Sequence, residues 1–168
     1  NAPFVIRYPR GQGVMPEWKT PMKKVKIGSG RKVISGTDIA ILTFGHPGNL
    51  AVAAVEQLKK KGISAALYDM RFVKPLDEVM LHEVFGKFDH VITVEDGCVQ
   101  GGFGSAVLEF MVDHGYKSKV VRLGIPDRIV EHGSQAQLWA ECGFDADGIQ
   151  KAVEKILASA AGKKSNIA

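Results

Sequence analysis

Residues 38–69 read DIAILTFGHPGNLAVAAVEQLKKKGISAALYD, and this stretch decides the fold. Ile39-Ala40-Ile41-Leu42 is a short apolar run of the kind buried on both faces of a parallel sheet. Leu50 to Lys61 follows at helical spacing, with Ala54 and Leu58 on one face and three lysines at its end. Lysines there suit the negative end of the helix dipole, and Gly62 is a natural stop. Ala65-Ala66-Leu67-Tyr68 then supplies a second strand. A strand, a helix and a strand in so short a stretch require a crossover, and crossovers of this kind are right-handed and give parallel pairing.

The alternation continues downstream. Asp77 stands at an N-cap position, with Val79, Met80, Val84 and Phe85 recurring at helical spacing after it. His90-Val91-Ile92-Thr93-Val94 is the third strand, and Gly101-Gly102-Phe103-Gly104-Ser105 leads into a helix carrying Val107, Leu108 and Met111. Lys119-Val120-Val121-Arg122-Leu123 is the fourth strand. A last helix over 147–160 places Ile149, Ala152, Val153, Ile156 and Leu157 on one stripe. The fold class expected is α/β, a three-layer α/β/α domain with a mostly parallel sheet over residues 38–161, followed by a flexible tail at 162–168.

Residues 1–37 have a different texture. Pro3, Pro9, Pro16 and Pro21 interrupt them, and little periodicity follows Phe4-Val5-Ile6. Residues 1–20 read as the end of a preceding domain and a linker, and residues 21–37 as a linker or a hairpin around Gly28-Ser29-Gly30. The chain opens on Asn1 and runs directly into a strand-like segment, as a piece of a longer protein would.

Composition excludes several function classes. Hydrophobic residues make up 45% and charged residues 24% of 168, the balance of a soluble domain with its own core. No apolar run approaches the ~18 residues of a membrane span, and no secretory signal pattern is present. The net charge of +4 is diffuse. Its one dense stretch, residues 23–32, is interleaved with Val25 and Ile27, so the lysines read as guards of a strand edge rather than a nucleic-acid patch. Cys98 and Cys142 have neither C-x-x-C spacing nor a neighbouring histidine, which argues against a zinc site. With no disulfide framework, a reducing cytoplasm is the simplest compartment.

Three groups of residues invite chemistry. Glu95-Asp96-Gly97 followed by Gly101-Gly102-Phe103-Gly104 falls where a strand meets a helix, a place where backbone N–H groups can cradle a phosphate. The spacing is not that of a dinucleotide fingerprint, and these glycines equally serve a tight turn and close helix packing. Arg7-Tyr8-Pro9-Arg10-Gly11 offers two guanidinium groups beside a fixed proline, well suited to gripping an oxyanion. His46 sits at the end of the first strand, where open α/β sheets bind ligands, and His132 falls in a loop. No serine or cysteine has a readable base at a triad-like position.

Taken in order, several stretches resemble the 1-deoxy-D-xylulose-5-phosphate synthase family of transketolase-like thiamine-diphosphate enzymes. They are Arg7 to Gly11, Tyr68 to Asp77, Thr93 to Gly97 with Gly101 to Ser105, and Gly124-Ile125-Pro126-Asp127. The resemblance implies a homodimeric, cytoplasmic parent that joins pyruvate to glyceraldehyde 3-phosphate with loss of CO2. It also implies that this chain is the C-terminal domain, preceded by the last strand of the pyrimidine-binding domain. Thiamine diphosphate and Mg2+ would then be held by upstream domains, with no catalytic, cofactor or metal residue expected here. Arg10 is the residue the resemblance assigns to the phosphate of the aldehyde substrate, with Arg7 the weaker candidate. The fragment alone is expected to be inactive and to serve packing and dimer contact. Two alternatives stay open at this point. One is the equivalent domain of a 2-oxo acid dehydrogenase β chain or a transketolase, and the other is a regulatory module that binds nucleotides through Gly101 to Gly104.

Overall fold

The computed structural model describes residues 21–164 together with Pro3, Val5 and Gly13. Among the described residues, five strands form one sheet. They are β1 (Arg31–Ile34), β2 (Ile39–Phe44), β3 (Ala65–Asp69), β4 (His90–Cys98) and β5 (Lys119–Ile125). The five helices are α1 (Pro47–Lys60), α2 (Glu78–Lys87), α3 (Phe103–Asp113), α4 (Gln135–Cys142) and α5 (Ala146–Lys164). Strand order is β1-β3-β2-β4-β5, with β1 antiparallel to β3 and the other pairs parallel.

Side-chain alternation along the strands builds two cores. Ile39, Ile41, Ala65, Leu67, Ile92 and Val94 face one side, where α1 and α5 supply Ala54, Leu58, Ile149 and Val153. Their neighbours Ala40, Leu42, Ala66, Tyr68 and Val91 face the other side and meet Leu81 and Val84 of α2 and Phe103 and Val107 of α3. Strands covered on both faces must be apolar at every position, which is why the runs at 39–42 and 65–68 lack an alternating pattern. The three-layer α/β/α arrangement expected from the sequence is the one observed.

Helix ends follow local chemistry. After α1, Gly62 adopts φ +78° and its N–H reaches Lys59 O, while the Ile63 N–H reaches Leu58 O. That pair of bonds is a Schellman motif, and the positive φ explains the glycine. Asp77 caps α2, its carboxylate accepting from the Met80 N–H at 3.0 Å.

Several expectations need correction. The segment 21–37 is not a hairpin. Lys26 and Ser29 close a turn at 3.2 Å, but residues 21–27 carry no strand, and Arg31–Ile34 instead pairs with Asp69 to Leu67. The partner lies far along the chain, so local pattern could not reveal it, and the sheet begins ahead of residue 38. The first helix starts at Pro47 rather than Leu50, since proline is tolerated in the first turn. α4 lies in a stretch to which the sequence pattern assigns no element, behind a complete capping box of Ser134 and Gln137. α5 continues to Lys164, past the expected 160, and residues 165–168 of the expected tail lie outside the described residues.

Candidate functional site

The chain leaves β2 through α1 toward one side of the sheet and leaves β4 through α3 toward the other. Neighbouring strands with divergent exits open a crevice at their carboxyl ends, where α/β sheets place ligands. A cavity of about 320 Å³ lies there, lined by Phe44, Val73, Asp96, Cys98, Gln100 and Phe103 among others.

The glycine loop forms one wall, and its role is legible in detail. Glu95, 3% exposed, turns its carboxylate onto the start of α3. One oxygen accepts from the Phe103 N–H at 2.7 Å and the other from the Gly104 N–H at 2.8 Å. The positive end of the helix dipole is thus neutralised by the chain's own anion. Glycines make room for it. A Cβ at Gly102 would run into Glu95 Oε2 and Cys98 O, and one at Gly124 would stand 3.0 Å from Glu95 Cγ. A Cβ at Gly104 would lie 2.5 Å from Thr93 Oγ1. Arg122 fastens the loop from β5, donating to Val99 O and Ser105 Oγ, each at 2.7 Å. This corrects the nucleotide-binding alternative. The N–H groups that would cradle a phosphate are occupied by a buried carboxylate, and the glycines serve close packing. The same observation bears on thiamine diphosphate, because the helix terminus best placed to take a diphosphate is filled and does not fit that group.

A second feature flanks the cavity. The loop from Asp69 to Asp77 contains Arg71, whose φ of +57° is the positive value among the described non-glycine residues. The Phe72 N–H folds back to Met70 O at 2.5 Å, so Arg71 is the central residue of a tight three-residue turn. A left-handed arginine costs roughly 1–2 kcal/mol relative to the ordinary regions. Such a cost is tolerated where surrounding contacts over-determine the backbone, and these positions cluster at functional sites. The Arg71 guanidinium is about one-third exposed, with Nε 3.9 Å from Asp69 Oδ2. Among the described residues it makes no hydrogen bond. A guanidinium at this edge of the sheet has the planar geometry to donate parallel hydrogen bonds to an oxyanion. In the sequence Arg71 is one residue of the longer motif from Tyr68 to Asp77. Nothing in residue type foretells a positive φ at arginine, so the signal was not there to be found.

Arg7 and Arg10, the sequence's own phosphate candidates, lie outside the described residues. His46 is half-buried at the start of α1, its ring 5.0 Å from that of Trp139, and its buried Nδ1 has no hydrogen-bond partner among the described residues. His132 is exposed in the loop ahead of α4. Burial raises the Cys142 thiol pKa above its ordinary value, with the Glu141 carboxylate adding to the effect. No helix among the described residues is long and apolar enough to cross a membrane.

Comparison with known proteins places this geometry in context. Residues 28–149 match the family described as transketolase, C-terminal domain. The chain is 62% identical over 156 residues to a 1-deoxy-D-xylulose-5-phosphate synthase from Cytophaga hutchinsonii, covering 93% of this chain and 24% of that protein. The enzyme of the same name from Aquifex aeolicus is 46% identical over 157 residues, covering 92% of this chain and 24% of that protein. The chain therefore spans about a quarter of the length of these curated relatives. Among solved structures, one described as a split gene transketolase, inactive beta4 tetramer, superposes with a TM-score of 0.77 at 31% identity. That match covers 85% of this chain and 46% of the other. A Pichia stipitis transketolase shares the fold at TM-score 0.57 and 19% identity.

Proposed function

Because this chain belongs to the family of transketolase C-terminal domains, we propose that it is the C-terminal part of a 1-deoxy-D-xylulose-5-phosphate synthase. The observation that carries the reading is the 62% identity, over nearly the whole chain, to a protein of that name. Identity to the split gene transketolase is lower, at 31%, which favours the synthase over a transketolase of the ordinary kind.

In this reading the parent is a cytoplasmic homodimer that condenses pyruvate with glyceraldehyde 3-phosphate and releases CO2. Thiamine diphosphate and Mg2+ belong to the upstream domains and supply the carbanion chemistry. What this chain contributes is binding and orientation. Arg10, and more weakly Arg7, hold the phosphate of the aldehyde, and Arg71 adds a further guanidinium at the carboxyl edge of the sheet. A planar guanidinium donates parallel hydrogen bonds to two phosphate oxygens, which fixes direction as well as distance. Gripping the remote phosphate presents the aldehyde carbon in line, and holding reactants in such geometry lowers the barrier without any new covalent step. The rest of the domain serves packing and dimer contact, and alone it is inactive.

The test is kinetic. In the full-length enzyme, Arg10→Ala should raise KM for glyceraldehyde 3-phosphate far more than KM for pyruvate. Equal effects on the two substrates would refute the clamp.

A further inference from the structure

The loop that carries Arg71 leaves β3 at Asp69 and ends at Asp77, and both aspartates divide their oxygens in the same way. Asp69 Oδ1 accepts from the Arg71 N–H at 3.2 Å, and Oδ2 accepts from Arg31 Nε at 3.0 Å. Asp77 Oδ1 accepts from the Met80 N–H at 3.0 Å, and Oδ2 accepts from the Gly30 N–H at 2.8 Å. Gly30 and Arg31 are consecutive, so both ends of the loop are fastened to one dipeptide of the chain entering the domain.

Packing closes the same joint. A Cβ at Gly28, whose φ is +73°, would stand 2.9 Å from Pro75 Cγ. A Cβ at Gly30 would stand 2.8 Å from Met80 Sδ and 3.0 Å from Asp69 O. Helix capping by itself does not require a carboxylate at position 77, since serine or asparagine caps as well. What a carboxylate adds is a second acceptor oxygen, and that oxygen is the one on Gly30.

We propose that Asp77 is a positioning residue for Arg71, latching the entering chain onto the loop so that the arginine is held in its unfavourable backbone conformation. The inference rests on the reading of Arg71 as an anion contact. A left-handed arginine persists only while its surroundings leave it no alternative. Releasing one end of the loop lets residue 71 relax toward negative φ and carries the guanidinium away from its place. The entering segment is, in this account, part of the site rather than a passive connector.

Asp77→Ser in the full-length enzyme separates latch from cap, because serine keeps the Met80 contact and lacks the second oxygen. Loss of one charge-assisted hydrogen bond predicts an increase of about tenfold in tryptic cleavage after Arg71. KM for glyceraldehyde 3-phosphate should rise by about the same factor, with KM for pyruvate and kcat within about twofold of wild type. Asp77→Asn, which caps α2 with its carbonyl and turns an NH2 toward Gly30, should behave likewise. Unchanged cleavage in both variants would overturn the latch, and faster cleavage with both KM values unchanged or equally raised would overturn the positioning role. Should the wild-type enzyme form no product from these substrates, the functional reading falls by itself. The tryptic rate would then still decide the latch, with faster cleavage supporting it and an unchanged rate overturning it.

Discussion

Replacing Glu95 by glutamine tests the account of the glycine loop. The substitution keeps the shape of the side chain and removes its charge. Its carbonyl can serve either the Phe103 or the Gly104 N–H, now 2.7 and 2.8 Å from the two carboxylate oxygens. The NH2 then faces the other N–H. One charge-assisted bond is lost and a buried donor is left unpaired, at a cost of about 1.5–3 kcal/mol. The attraction between the carboxylate and the helix terminus disappears as well, worth up to about 1–2 kcal/mol in a partly buried setting. Together these come to roughly 2.5–5 kcal/mol, a large share of the 5–15 kcal/mol that typically holds a domain. At about 2–4 °C per kcal/mol for a chain of this size, Tm should fall by roughly 5–20 °C. Thermal unfolding followed by far-ultraviolet circular dichroism reads this directly, and the urea midpoint should fall without a change in slope. A shift of less than about 2 °C would refute the reasoning. The α3 terminus would then not depend on Glu95, and an outside anion would again be able to claim it.

Gly104→Ala should also destabilise, since the new methyl meets Thr93 Oγ1 at 2.5 Å and Arg122 Cγ at 3.0 Å in a packed core. A loss of about 1–3 kcal/mol in urea unfolding is expected, and no loss would show that α3 can shift to accommodate the methyl. On the other face of the sheet, the hydrogen bond from Lys61 Nζ at 2.6 Å holds the Glu154 carboxyl below its ordinary pKa. A depressed carboxylate contributes stability above its unfolded value and loses it as pH falls through the folded one. Carbon-13 titration of Glu154 should therefore show its midpoint move upward in Lys61→Ala. An unmoved midpoint would contradict the assignment.

How much of this was legible in the sequence varied with how local each determinant is. The strands at 39–42, 65–68 and 90–94 were readable because burial on both faces concentrates apolar residues in short runs, interrupted in the third by the buried Thr93. β4 was read short of its end, because Glu95, Asp96 and Gly97 look like a loop. They stay in the strand through an irregularity in register before Cys98 meets Ile125. β1 was misassigned because its partner residues, Asp69 to Leu67, are distant in sequence and the pairing is a tertiary choice. α4 has no fully buried residue, and its apolar face is only the half-buried Leu138, Trp139 and Cys142, a faint stripe in eight residues. Its clearer signal was the spacing of Ser134 and Gln137, a capping-box pattern that was there to be used. Within the site, the glycine loop was correctly located, but the filling of its N–H groups depends on where one side chain turns. Arg71 was inside the most specific motif, yet its strain comes from the contacts at Asp69 and Asp77, which only the folded chain assembles.

On the function proposed above, this chain is the substrate-orienting C-terminal part of a larger thiamine-diphosphate enzyme. Calorimetric titration of thiamine diphosphate with Mg2+ into this chain and into the full-length protein, side by side, tests it most directly. The account predicts saturable binding by the full-length protein, turnover of pyruvate with glyceraldehyde 3-phosphate by that protein, and no binding heat from the chain alone. Saturable binding by the chain alone would contradict it.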